Sequence, residues 1–144
     1  MHGACLCGAV TFTMAGPTSG IYQCHCSLCR KVSGSSSNSA LWAFGQFEWI
    51  SGETNITRWT TPSGFQSCFC RTCGSPLPNP LRDGSGYWVP AGLLDEPEGL
   101  SVVAQVCVAS RASWDNLDFP GVRLEEMIDG EAFLPLIYRA EPVD

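Results

Sequence analysis

Cys68-Phe69-Cys70-Arg71-Thr72-Cys73-Gly74 holds a Cys-x-x-Cys turn closed by glycine. In such a knuckle two sulfurs point at one metal ion, and the glycine permits the tight reversal that follows. One knuckle supplies two ligands, whereas a structural zinc takes four in a closed tetrahedron. The other pair must come from elsewhere in the chain, and Cys5-Leu6-Cys7-Gly8 is the natural partner. A closed site on Cys5, Cys7, Cys70 and Cys73 would pin the start of the chain to its middle.

Cys24-His25-Cys26-Ser27-Leu28-Cys29 then remains as a local set of three thiols. Three protein ligands and one open position are the pattern of a metal that exchanges a ligand. Cys68, Cys107 or His25 could instead complete the set into a second closed site. His25, flanked by two ligand candidates, reads as a supporting neighbour rather than a ligand. Three thiolates leave zinc electron-rich, which suits it poorly to activating water and well to capturing another thiolate. A sulfur bound there is deprotonated at neutral pH and stays nucleophilic. Residue chemistry alone therefore points to a thiol co-substrate.

Composition narrows the alternatives. A chain of 144 residues is the length of one domain, and residues 1–144 are expected to form one, with 121–144 as an irregular C-terminal arm. Gly and Pro number 15 and 10 and charged residues make up only 15%, which favours short strands and tight turns over helix. The net charge of −6 repels phosphate backbones, and no basic run offsets it, so nucleic-acid binding is disfavoured. No apolar run approaches the ~20 residues of a membrane span. The N-terminus lacks the basic-then-apolar order of a secretory signal, so a cytoplasmic location is expected. Nine cysteines in a reducing compartment read as ligands or nucleophiles rather than disulfides.

Strands are expected at Ala9–Met14, Ile21–Gln23, Leu41–Phe44, Phe47–Ile50, Tyr87–Ala91 and Leu100–Val108. Ile56–Thr60 and Phe65–Phe69 read as a hairpin around Pro62-Ser63-Gly64. Helix is signalled at Ser27–Val32 and Leu124–Ile128, and Ser33–Ser39 reads as a loop. Cys107, among Val102, Val103, Val106 and Val108, reads as a core residue, and Cys68 as a packed thiol.

Gly3-Ala4-Cys5-Leu6-Cys7-Gly8-Ala9-Val10, Cys24 to Gly34 with its Arg30-Lys31-Val32-Ser33-Gly34 extension, and Phe69 to Ser75 together resemble the glutathione-dependent formaldehyde-activating enzyme (GFA/CENP-V domain) family. Val89 to Asp95 and Ser110 to Trp114 add softer likeness. The resemblance covers roughly residues 3–120 and implies a mostly β fold of the β-tent type, short antiparallel strands with little helix. It implies a structural zinc on Cys5, Cys7, Cys70 and Cys73, and a labile zinc on Cys24, Cys26 and Cys29. The implied activity is that of a carbon–sulfur lyase of the S-(hydroxymethyl)glutathione synthase kind, joining glutathione to formaldehyde. On that reading Cys24, Cys26 and Cys29 carry the chemistry, and Arg30 and Lys31 hold the carboxylates of glutathione or cap a short helix. The partner is a small thiol, and a homodimer is an allowed assembly. The rival reading is a non-catalytic zinc module of the same fold that binds a protein partner, or a thiol or metal carrier.

Overall fold

Alternation builds the strands. In Thr11–Ala15 the side chains of Phe12 and Met14 are buried while Thr11 and Thr13 are only partly covered, the period of two expected of a strand with one face on a core. The computed structural model describes residues 1–95, 98–116 and 118–138. Along the chain lie β1 (His2–Ala4), β2 (Thr11–Ala15), β3 (Ile21–Cys24), α1 (Ser27–Ser33), β4 (Asn38–Ala43) and β5 (Gln46–Ser51). There follow β6 (Ile56–Thr60), β7 (Gln66–Cys70), β8 (Asn79–Pro80), β9 (Tyr87–Pro90) and β10 (Leu94–Asp95). The last elements are β11 (Val102–Val106), β12 (Val122–Leu124) and α2 (Gly130–Ile137). The fold is mostly β, as composition led us to expect. The described residues form two compact units.

The first unit comprises Met1–Thr18 and Trp42–Glu98. Its sheet runs β10-β1-β2-β5, antiparallel throughout. Gly3 sits opposite Phe12, and a Cβ on Gly3 would lie 2.3 Å from the Phe12 ring, so the small residue makes room for the large one. Phe12 stacks on Phe47 at 5.3 Å, and Phe47 stacks on Tyr87 at 3.9 Å. β6 and β7 form the expected hairpin, closed by the Gly64 N–H on the Thr61 carbonyl at 2.9 Å. Cys5, Val10, Ile56, Cys68, Cys70 and Leu77 pack as one buried cluster. Gly52 ends β5 at φ +74°, with the Ala9 carbonyl oxygen only 2.0 Å from where a Cβ would stand.

The second unit comprises Ser19–Leu41 and Gly99–Asp144. In it β11 runs parallel to both β12 and β3, while β4 pairs antiparallel to β3. Those registers flank Cys24 with Val106 on one side and Asn38 on the other.

Four local expectations are corrected here. Asn38 and Ser39 belong to β4 rather than to a loop, because pairing with β3 overrides their low strand propensity. The strand read over Leu100–Val108 ends at Val106, since Cys107 turns left-handed at φ +55°. Leu124–Ile128 is not helical; Leu124 instead closes β12 beside Val106. Within 121–144, read as an irregular arm, the described residues form β12 and then a helix. Asp129 caps that helix by accepting from the Ala132 N–H at 2.9 Å. Phe133 and Ile137, four residues apart on one face, are buried, and Phe133 meets Tyr22 edge-on at 5.1 Å. That burial outweighs the helix-breaking tendency of Pro135.

Candidate metal centres

The first cluster is made by two glycine-closed turns, the second one residue longer than the first. Gly8 and Gly74 share φ +76°, and each donates its N–H back to the first cysteine of its knuckle, to Cys5 at 3.0 Å and to Cys70 at 2.8 Å. A Cβ at either glycine would meet nothing within 4 Å, so backbone conformation and not space selects glycine there. Ser75 ties the knuckles together, its hydroxyl accepting from the Leu6 N–H at 3.0 Å and lying 3.3 Å from the Cys73 sulfur. The sulfurs of Cys5, Cys7, Cys70 and Cys73 all lie within 4.8 Å of one another. Cys5 to Cys7 is 3.6 Å and Cys7 to Cys70 is 3.8 Å. Four sulfurs at the ~2.3 Å bond length of a zinc tetrahedron would be about 3.8 Å apart.

The Ser75 hydroxyl and N–H, with help from the Cys7 N–H, pull the Cys73 thiol down to about 5. The Cys73 and Thr72 N–H groups also lower Cys70. The Ala9 N–H favours the Cys7 thiolate, but burial and the sulfurs of Cys5, Cys73 and Cys70 outweigh it and push Cys7 up to about 11. Asn55 adds a supporting donor, its Nδ2 lying 3.5 Å from the Cys70 sulfur and 3.0 Å from the Thr72 hydroxyl.

In the second cluster the sulfurs of Cys24, Cys26 and Cys29 again lie within 4.8 Å of one another. Cys24 ends β3, while Cys26 is the N-cap of α1 and accepts from the Cys29 N–H at 3.3 Å. Hydrogen bonds from Cys24 and Cys29, and from the Cys29 and Leu28 N–H groups, drive Cys26 down to about 2. Cys24 is raised by its two cysteine neighbours and by burial. Cys24 and Cys29 are buried, Cys26 is half-buried and Leu28 is exposed, so the cluster reaches the surface through α1.

His25 is buried, and both ring nitrogens are engaged away from the thiols. Its Nε2 lies 2.5 Å from Gln105 Oε1, and its Nδ1 faces Asp115 Oδ2 at 3.2 Å in an ion-pair contact without the alignment of a good hydrogen bond. Gln105 donates to Gln23 Oε1 at 2.7 Å and Gln23 donates to the Ser39 hydroxyl at 3.0 Å, so Gln105 presents its oxygen to the ring. Asp115, Gln105 and Gln23 had not been singled out as site residues; they meet His25 only through the β3/β11 pairing and the loop after β11. Arg30 donates its Nε to the His25 carbonyl at 3.3 Å, and Lys31 is exposed beside it in the last turn of α1. The C-terminus of α1 is capped by Gly34, whose N–H bonds to the Arg30 carbonyl, rather than by the Arg30 side chain.

Both clusters suit zinc by donor type, and the first also by spacing. The second offers a further sign of fit: Asn38, directly across from Cys24, is buried with its Nδ2 lacking a hydrogen-bond partner. A donor left over beside a thiol cluster fits sulfurs that carry negative charge, as metal-bound thiolates do.

Comparisons with known proteins agree with this picture. A fission yeast (Schizosaccharomyces pombe) protein named as an uncharacterized lyase is 28% identical over 110 residues, covering 74% of this chain and 77% of its own length. A crystal structure of a Rhodobacter sphaeroides protein superposes with a TM-score of 0.56 at 23% identity, covering 86% of this chain and 99% of that one, a likeness of fold. The family profile described as glutathione-dependent formaldehyde-activating enzyme matches residues 1–110, through both units. With that match over most of its length, the chain belongs to the glutathione-dependent formaldehyde-activating enzyme family.

Proposed function

We propose that the protein is a zinc-dependent carbon–sulfur lyase acting on the adduct of a small thiol, glutathione foremost, with formaldehyde or a related electrophile. What supports the reading most is the second cluster: three converging sulfurs that reach the surface, in a chain whose four other paired cysteines already make a complete ligand set. Family membership and a relative named as a lyase support it further.

Cys24, Cys26 and Cys29 would hold the labile zinc, and Cys5, Cys7, Cys70 and Cys73 the structural one. When bound, the labile ion supplies a soft Lewis acid that keeps a substrate sulfur deprotonated at neutral pH. The chain's own groups do the rest. Arg30, anchored on the His25 carbonyl, and Lys31 offer positive charge for the carboxylates of a glutathione-like anion. The His25–Gln105–Gln23–Ser39 chain fixes the backbone between Cys24 and Cys26, so the two sulfurs keep their spacing. In the synthetic direction the thiol sulfur bonds to the aldehyde carbon, and the thiol proton ends on the former carbonyl oxygen. The lyase direction breaks that same bond.

Calorimetric titration of glutathione into zinc-loaded protein, alongside an assay of adduct formation and breakdown, tests the reading. We expect binding in the parent and its loss in a folded Cys26→Ser variant. No heat and no turnover with any small thiol would favour the rival interaction module.

A further inference from the structure

We propose that Cys107 is the fourth thiolate ligand of the second metal site. The inference rests on the reading of Cys24, Cys26 and Cys29 as metal ligands, and it names the residue that guards the position a substrate would take.

The sequence left three residues able to complete the set: Cys68, His25 and Cys107. Cys68 is buried in the cluster of the first unit with Val10, Ile56 and Leu77. His25 has one ring nitrogen on Gln105 and the other facing Asp115. Cys107 has neither commitment. The parallel register sets Val106 beside Cys24, the His25 N–H bonds to the Val106 carbonyl at 3.0 Å, and Cys107 follows at once. Its side chain faces that of Cys24, near enough to Cys24, Cys26 and Cys29 for the sulfurs to interact electrostatically. It stands outside the set whose sulfurs all lie within 4.8 Å of one another, touching that set through Cys24.

Two further observations bear on what the site holds. Asn38, buried and lacking a partner for its Nδ2, occupies the position across from Cys24, so a donor without a partner stands on the strand that pairs with the one carrying Cys24. The Met127 N–H is near enough to favour a Cys107 thiolate, as the Cys29 and Leu28 N–H groups favour that of Cys26. Four thiolates around a divalent ion carry a net double negative charge, and such donors are what would stabilise it. Among the described residues Cys107 is the one non-glycine at positive φ, at +55°, a conformation that strand continuation would not produce. Cys107 is half-buried, so its sulfur remains within reach of an incoming thiol.

The test uses cobalt(II) as the probe metal. Two equivalents are loaded into the parent, Cys107→Ala and Cys107→Ser, and sulfur-to-cobalt charge-transfer absorbance is read per equivalent. We expect the second equivalent to lose about a quarter of that intensity in both variants, one sulfur of four. Its release to a chelator should quicken about tenfold or more. The first equivalent should be unchanged, which also reports that the variant is folded. On the parent protein, alkylation mapped by mass spectrometry should show Cys107 protected by the second equivalent together with Cys24, Cys26 and Cys29. Unchanged cobalt spectra in the variants, or Cys107 alkylated equally fast with one equivalent and with two, would overturn the proposal. Glutathione then separates it from the enzymatic reading. If glutathione restores the lost intensity in Cys107→Ala, both stand. If it perturbs neither protein while the spectral loss persists, Cys107 is a ligand and the enzymatic reading fails.

Discussion

The sulfur of Cys7 lies 3.8 Å from that of Cys70, across a sequence separation of 63 residues. That spacing, inside a cluster that also holds Cys5 and Cys73, is what fits the first cluster to the closed structural site we propose. A structural zinc contributes about 10–16 kcal/mol in small zinc modules, as much as or more than the ~5–15 kcal/mol that keeps most domains folded. Cys70→Ser is therefore expected to abolish cooperative thermal unfolding by circular dichroism and to lower bound zinc. A Cys70→Ser protein that melts like the parent would remove the structural role.

Asp115 matters through His25. Cutting it back in Asp115→Ala removes the carboxylate that faces the buried His25 Nδ1 at 3.2 Å and is expected to destabilise the fold by about 1 kcal/mol. Asp115→Asn keeps an acceptor oxygen and should lose less. Urea denaturation of the two variants checks the order, and equal losses would mean that the contact contributes nothing specific.

Acid should act on the metal-free protein through Cys73. Its thiol is lowered to about 5 in the fold, chiefly by Ser75, against about 8.5 in an unfolded chain. A depressed value favours the fold above the unfolded pKa, and that contribution fades as pH falls towards 5. Alkylation of Cys73 in the chelated protein, at a temperature where circular dichroism shows the fold kept, should accordingly persist to near pH 5, and Ser75→Ala should move the profile upward. An unchanged profile in Ser75→Ala would exclude Ser75 as the cause.

Gly52→Ala would set a Cβ 2.0 Å from the Ala9 carbonyl oxygen at a backbone φ of +74°. Overpacking and left-handed strain together predict a loss of at least about 2 kcal/mol in denaturant titration. A loss below about 0.5 kcal/mol, the range of a neutral surface change, would show that the β5 corner yields easily.

Much of this was legible in the residues. Two glycine-closed cysteine pairs in a chain of this length can satisfy one another, and the same turn chemistry at Gly8 and Gly74 delivers them to a common point. The hairpin at Ile56–Thr60 and Gln66–Cys70 announced itself through alternation and Pro62-Ser63-Gly64. What stayed hidden depended on pairing between distant strands. His25 reads as a neighbour of ligands until β11 brings Gln105 to its ring from 80 residues away. Cys107 sits among valines and reads as core, because nothing local announces that the strand stops at Val106 and turns its next side chain toward Cys24. Helix α2 was missed for a related reason: its two buried anchors find partners only in the second unit's sheet, and Pro135 alone argued against it.

The join between the first knuckle and the second also orders events during synthesis. Cys5 and Cys7 leave the ribosome first and must wait, reduced and without their final partners, until Cys73 has emerged. Closing so long a loop is entropically slow, and non-local contacts of this kind delay folding. If these sulfurs hold zinc as proposed, metal supply sets not only how stable the finished protein is but also when the nascent chain can commit to its first unit, and scarcity of zinc would be a kinetic hazard before a thermodynamic one.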